Sequence, residues 1–275
     1  MFHIFAMDLL SSIVIGLLQG IFEWLPISSQ GGLMIYFSNV LKIAPDIALN
    51  YSIFLHLGTT LAALIYFRKE IYNLFTKSSI KDLVNSPFKT KNKDSIFLRF
   101  LIVAVFFSLL VSVPIYFYLG NNISKLSISV INLVIGLLLI ATGFLILFSK
   151  KKKLKTAKLS LKNSIFLGLF QGLSILPGVS RSGITTSVLL FEGFNAEKAF
   201  RISFILAIPT VLIGELGLLV FNGFSSFDPF IIISLLVSFV VGLLTIDLLI
   251  KFAKRVNFST FCFILGVIYI FLFLL

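Results

Sequence analysis

Gly16-Leu17-Leu18-Gln19-Gly20-Ile21-Phe22-Glu23-Trp24-Leu25-Pro26-Ile27-Ser28-Ser29-Gln30-Gly31-Gly32 is echoed later in the chain by Gly168-Leu169-Phe170-Gln171-Gly172-Leu173-Ser174-Ile175-Leu176-Pro177-Gly178-Val179-Ser180-Arg181-Ser182-Gly183. Each copy reads as an apolar helix with a Gly-x-x-Gln-Gly edge, then Leu-Pro, then a Ser-rich turn that ends in Gly. Setting Pro26 opposite Pro177 places Ser29 opposite Ser180 and Gly32 opposite Gly183, with one extra residue between Gln and Pro in the first copy. The chain therefore carries an internal repeat. Pro, Gly and hydroxyl residues interrupt both copies inside apolar stretches, near residues 9–38 and 163–191. Broken helices are tolerated at membrane depth where protein or a water-filled cavity satisfies the freed backbone groups. Each copy is accordingly read as a re-entrant helix pair, with the Gly-x-x-x-Gly edges serving close helix packing.

The surrounding chain of 275 residues is 58% hydrophobic and 12% charged, with a mean hydropathy of +1.09, outside the range of soluble globular domains. Runs of spanning length lie near residues 47–67, 97–119, 127–149, 197–220, 229–250 and 258–275, each with the roughly 20 apolar residues a crossing helix needs. The expected fold class is an all-α polytopic membrane protein with about six transmembrane helices plus two re-entrant pairs. No signal-peptide pattern opens the chain, so the first apolar run is expected to be retained. A single cysteine, Cys262, excludes an internal disulfide and a Cys-built metal site and reads as a packing residue.

The formal charge of +12 would point to nucleic acid only if the basic residues formed one solvated surface. They cluster instead in residues 68–99, 150–162 and 251–255, which leaves Lys42 and Lys125 for the opposite side. The partner is thus the bilayer and no nucleic acid. By the positive-inside rule the basic loops are cytoplasmic and both termini are outside. The Lys150 to Lys153 run is read as a topology signal that touches anionic headgroups. Three spans separate the two copies, and an odd number reverses direction. Residues 1–149 and 150–275 then form the halves of an inverted-topology repeat within one domain, with a shared site near the midplane.

Gln19 and Glu23, four apart, share a helix face just before Pro26 ends the helix. A carboxylate in a membrane segment marks a functional site by default, the alternative being an interfacial Glu23 that anchors the helix beside Trp24. Ser28 and Ser29 suit the N-cap of the next half-helix, whose free amides favour an anion. In the second copy Gly178, Ser180, Ser182 and Gly183 surround Arg181. Glycines permit close approach, serines supply hydroxyls, and the guanidinium offers a planar fork that fits phosphate oxygens. Arg181 is read as an anion binder or as the neutralising partner of Glu23. His56 is a candidate proton carrier or a hydrogen-bonded packing residue. Glu215 and Asp247 are further intramembrane candidates without a named partner. There is no Walker motif, no His-Glu-x-x-His and no redox Cys pair, and only His3 and His56 exist, so a multi-His metal site is excluded.

These residues resemble the undecaprenyl-diphosphate phosphatase family, also called the bacitracin-resistance proteins. The resemblance rests on Gln19-x-x-x-Glu23, on Leu25-Pro26-Ile27-Ser28-Ser29, on the stretch from Pro177 to Gly183, and on Ala196 to Phe204 with Pro209 after it. It implies an integral membrane enzyme of the plasma membrane. Such an enzyme hydrolyses a polyprenyl diphosphate to the monophosphate with a divalent cation, recycling the lipid carrier for peptidoglycan or other surface glycans, and is associated with bacitracin resistance. The family's first motif usually continues Ser-Ser-x-Gly-His, and here the last position is Gly32. Proton transfer then falls to Glu23, to His56 or to metal-bound water, or this branch has altered chemistry.

On this reading Glu23, Ser29, Arg181, Ser28 and His56 are catalytic, with Ser29 the first choice of nucleophile and direct attack by water still open. Gln19, Ser180, Ser182, Gly178 and Gly183 contact the substrate. Glu23 and Gln19 hold Mg2+ or Ca2+. A transporter or flippase that binds the phosphorylated lipid without cleaving it is the rival, and a catalytically retired scaffold a third reading. The sequence sets no oligomeric state and is compatible with a homodimer.

Overall fold

A computed structural model describes residues 7–78, 91–149, 157–222, 229–253 and 257–274. His3, the Lys150 to Lys153 run and Arg255 lie outside these residues. Among the described residues the chain is helical, with no strand: α1 Leu9–Phe22, α2 Ser29–Ile35, α3 Pro45–Phe54, α4 His56–Tyr66, α5 Arg68–Lys77, α6 Lys93–Asn122, α7 Ile128–Ser149, α8 Leu161–Gly172, α9 Arg181–Phe191, α10 Ala196–Asn222, α11 Pro229–Ala253 and α12 Phe258–Leu274.

Local signals account for most of the helix ends. Asp8 caps α1 by accepting from the Ser11 amide at 2.7 Å, Asn92 caps α6, Ser160 caps α8, and Pro45 opens α3 at a position where a missing N–H costs nothing. Pro26 and Pro177 follow the ends of the first limbs, so neither limb continues through the membrane.

Five helical stretches are long and apolar enough to cross a membrane: Pro45–Tyr66, Lys93–Lys125, Ile128–Ser149, Ala196–Gly217 and Pro229–Leu248. The sequence reading expected six. The last of those runs forms α12, an apolar helix of 17 described residues at the lower end of the spanning range. The first span carries a break, where the helix stops at Leu55 and restarts with His56. Large apolar side chains face outward along the long helices, among them Phe106, Leu110, Leu244, Leu248 and Ile264. In a soluble protein so much exposed apolar surface would promote aggregation; in a bilayer it is the solvent-facing side. The chain is a multi-pass membrane protein.

Packing between the halves repeats itself. The first limb of each broken helix lies against a long helix of the other half, α1 on α11 and α8 on α6. The contact is possible because glycines line it. A Cβ on Gly16 would meet Val237 Cβ at 2.5 Å and the Ser234 carbonyl, and one on Gly20 would meet Val241 Cβ at 2.8 Å. In the other half Gly168 faces Ala104 and Phe107, and Gly172 faces Val111. The partners fall at one constant spacing in sequence: Ser234 with Ala104, Val237 with Phe107, Val241 with Val111. The same spacing relates Gly136 to Gly266, where α7 and α12 cross. A Cβ on Gly136 would lie 2.7 Å from the Gly266 carbonyl oxygen, and one on Gly266 would lie 2.9 Å from that of Gly136. This crossing thus maps onto itself when the halves are exchanged. The two broken helices then point their turns at a common centre.

Candidate functional site

The first turn is assembled around Glu23, which caps the C-terminus of α1 and is 5% exposed. Trp24 beside it is 2% exposed, its indole N–H donates to the Gly242 carbonyl at 3.2 Å, and its ring meets Phe204 edge-on. These positions exclude the reading of Glu23 as an interfacial anchor. After Pro26, whose carbonyl accepts from the Cys262 thiol, Ser28 turns the chain with φ of 60° and accepts the Gly31 amide as N-cap of α2. A serine in the left-handed region is strained, and Ser28 Oγ is held there from a second side by the Gly178 amide at 3.1 Å. Capping by Ser28 leaves Ser29 free. Its hydroxyl donates to Glu23 Oε2 at 2.7 Å.

The second turn supplies the counter-charge. Leu176 and Pro177 lead to Gly178, whose φ of +101° and whose packing against the backbone of Ile135 admit no side chain. Ser180 then caps α9 by accepting the Gly183 amide, and Ser182 donates to the Leu25 carbonyl across the junction at 3.2 Å. Arg181, first residue of α9, reaches the other oxygen of the carboxylate: its Nη2 hydrogen bonds to Glu23 Oε1.

Two further groups close the cluster on Glu23 Oε2. Gln19 Nε2 donates to it at 3.0 Å and to Thr59 Oγ1 at 3.3 Å. His56, at the start of α4, places Nε2 3.2 Å from Glu23 Oε2 and 3.4 Å from Ser29 Oγ. The break at Leu55 exposes the Ser52 carbonyl, which accepts from His56 Nδ1 at 2.7 Å and fixes the ring. A carbonyl at Nδ1 means that this nitrogen carries the proton, which directs Nε2 at the carboxylate and the serine. Gly32 does not line the cavity. A Cβ there would sit 3.3 Å from the Tyr269 hydroxyl and against the Phe22 ring, so the imidazole arrives from α4 instead.

Glu23, Ser29, His56, Arg181, Ser180, Ser182, Ser28 and Ser174 enclose a cavity of about 20 Å3, enough for a water-sized group. Two buried side-chain atoms of the cluster have no partner among the described residues: Arg181 Nη1, a donor, and Gln19 Oε1, an acceptor. A buried unpaired donor on a guanidinium is costly unless a ligand oxygen completes it. Nη1 is thus available to donate to an oxygen of a bound anion. Gln19 Oε1 and the Glu23 carboxylate are oxygen donors of the kind a hard divalent cation takes with few protein ligands, both carboxylate oxygens being already hydrogen bonded. Among the described residues no group of three His, Cys, Asp or Glu forms a closed metal cage.

The structure thus brings together Gln19, Glu23, Ser29, His56 and Arg181. It places Ser28 and Ser180 as caps and Gly178 and Gly183 against α7, where they act through their backbones. Thr59 and the Ser52 carbonyl escaped the sequence reading. Their signal was helical spacing from His56, in Ser52-Ile53-Phe54-Leu55-His56-Leu57-Gly58-Thr59. Glu215 is buried with both oxygens unpartnered among the described residues, whereas Asp247 is exposed and pairs with Lys251 and Tyr66. Arg201 is paired with Glu70 at 2.8 Å, outside the cavity.

Comparison with known proteins covers almost the whole chain. The family described as Bacitracin resistance protein BacA matches residues 12–268. A protein of Methanothrix thermoacetophila named undecaprenyl-diphosphatase is 38% identical over 268 residues, spanning 95% of this chain and 96% of that one. Proteins with the same name from Methanococcoides burtonii and Haloarcula marismortui are 37% and 35% identical, covering 95% and 94% of this chain and 97% and 94% of theirs.

Proposed function

We propose that this chain, which belongs to the bacitracin resistance protein BacA family, is a membrane phosphatase. It hydrolyses a polyprenyl diphosphate of the undecaprenyl type to the monophosphate and inorganic phosphate, returning the lipid carrier to surface-glycan synthesis. The observation that carries the reading is Arg181: Nη2 is held on Glu23 while the buried Nη1 has no partner among the described residues, and Ser29, bonded to the same carboxylate, lines the same cavity.

With the terminal phosphate on Arg181, Ser29 Oγ attacks phosphorus as the bond to the bridging oxygen breaks. The Ser29 proton leaves along its bond to Glu23 Oε2, and His56 Nε2, 3.2 Å from that oxygen, relays it to the departing polyprenyl phosphate. Water then cleaves the phosphoserine with the same pair as base, releasing inorganic phosphate and restoring the hydroxyl. Arg181 and the amides at the start of α9 stabilise charge on the equatorial oxygens throughout. Glu23 and Gln19 would hold a divalent cation, Mg2+ or Ca2+, which when bound offsets phosphate charge. Ser182 positions the phosphate, and Ser180 holds the start of α9 in place beside it.

The halves, residues 1–149 and 150–275, are read as inverted repeats, with basic loops cytoplasmic, both termini outside and the site meeting its lipid from the membrane; a homodimer is compatible with this arrangement. Transport without hydrolysis has no support from the relatives, whose name is that of a hydrolase.

The test is phosphate release from a long-chain polyprenyl diphosphate by purified protein in detergent. Release should require Mg2+ or Ca2+, stop with chelator and fail in Arg181→Ala. Lipid that binds through Arg181 without releasing phosphate would return the transport reading.

A further inference from the structure

Next to the phosphate cavity is an apolar groove of about 210 Å3, lined by Ile53, Leu109, Val113, Phe117, Ile175 and Ile213. Two links join it to the site. Ile175 follows Ser174, which lines the phosphate cavity, and the Ile53 carbonyl lies 3.2 Å from His56 Nδ1.

Gly214 and Gly217, one turn apart on α10, also line the groove. A Cβ built on either meets nothing within 4 Å. They differ in this from Gly16, Gly20, Gly168 and Gly172, whose missing side chains are filled by a neighbouring helix. Glycine inside a helix is unfavourable relative to alanine, and here this chain's own packing does not use the space it leaves. The groove runs along the later halves of α6 and α10, away from the ends that carry Lys93 and Lys198. Its one aromatic hydroxyl, Tyr116, is tied to Asn50 at 3.1 Å. Ser112 adds one aliphatic hydroxyl, and the remaining wall is aliphatic, glycine and phenyl.

We propose, on the basis of the phosphatase reading, that this groove holds the isoprene units nearest the diphosphate. A diphosphate seated on Arg181 must send its carbon chain out past Ser174, and Ile175 and Ile53 stand where that chain meets apolar wall. Branched isoprene units need width at each methyl, and the bare faces of Gly214 and Gly217 provide it. The groove selects a prenyl chain over a bare phosphoanhydride, and it keeps the tail in the half of the membrane opposite the basic segments.

The experiment fills the groove. Gly214→Leu and Gly217→Leu, singly and together, add side chains into open space and improve helix propensity, so the variants should fold. Gly120→Leu, at an exposed position where a Cβ also meets nothing, is the control. For each protein, binding of a long-chain polyprenyl diphosphate is measured by native mass spectrometry. Phosphate release is measured from that lipid and from a diphosphate bearing a single isoprene unit.

The groove variants should raise KM for the long-chain lipid by about tenfold or more and affect the single-unit substrate, which fills only the groove's first part, far less, with Gly120→Leu like wild type. Unchanged KM for the long chain, or equal losses on both substrates, would overturn the proposal. If wild type binds the lipid and releases no phosphate, the phosphatase reading fails by itself. The groove then stands or falls on whether the leucine variants lose the binding.

Discussion

The two broken helices share a frame and differ in what they place on it. In the first, Gln19 Nε2 reaches Thr59 at 3.3 Å; in the second, Gln171 Nε2 reaches Thr210 at 2.8 Å and Ser108 at 3.3 Å. Both glutamines leave a buried Oε1 unpartnered among the described residues, so that feature belongs to the frame. Only the first copy has an acid one turn later. The corresponding place in the second is Ser174 or Ile175, the position of His56 corresponds to Ala207, and that of Arg181 to Gln30. One copy therefore carries the carboxylate, hydroxyl and imidazole, and the other carries the guanidinium.

Capping separates the two serines that alignment places opposite each other. Ser180 is spent on the N-cap of α9, whereas in the first copy Ser28 takes the cap in a left-handed conformation and releases Ser29 toward Glu23. A hydroxyl that accepts a cap bond is held against its own helix, and one residue of displacement puts the next hydroxyl on the carboxylate.

The sharpest way to break this contrast is to remove the serines one at a time. Ser29→Ala should cut phosphate release by about 10^4-fold, while Ser180→Ala and Ser28→Ala should cost about 1 kcal/mol of stability through the lost caps. Steady-state phosphate assays alongside thermal unfolding separate the two outcomes. A Ser29→Ala enzyme close to the wild-type rate would transfer the attack to water.

Next in size is the ion pair. Arg181→Ala should lower kcat by about 10^3-fold, and it leaves Glu23 as a buried charge without its guanidinium, a loss of roughly 3–5 kcal/mol. Adding Glu23→Gln should recover stability in the melting curve and none of the activity. Gln30→Ala, the matching change in the other copy, should leave kcat near wild type.

His56→Ala is expected to lose about 10^2-fold in kcat with little change in KM. Added imidazole should restore part of the rate, a recovery that a packing role would not produce. The smallest effect separates the glutamines. Gln19→Leu should raise the cation concentration needed for half-maximal rate, whereas Gln171→Leu should change only stability, by about 1 kcal/mol.

Much of this architecture is legible along the chain. Hydropathy marks the spans, because the bilayer demands continuous apolar surface over a fixed thickness. Pro26 and Pro177 mark the breaks, because proline lacks the amide a helix needs. The pairing of Glu23 with Arg181 was one of two readings for that arginine, and the structure shows it together with a donor left over for an anion. The last apolar run is legible to within its ends, near 258–275 in the sequence and Phe258–Leu274 in the helix α12.

Sequence by itself determined the class of protein, the two broken helices, the repeat that relates them and the residues able to carry charge, because these follow from side-chain chemistry and spacing within single segments. Tertiary structure alone decided that Ser29 and not Ser28 meets the carboxylate, that His56 comes from α4 to the same carboxylate, and that Gly214 and Gly217 open onto a groove. Each of these depends on how helices far apart in sequence pack against one another. That packing is set by glycine contacts such as Gly136 on Gly266, whose partners lie beyond the reach of any local pattern.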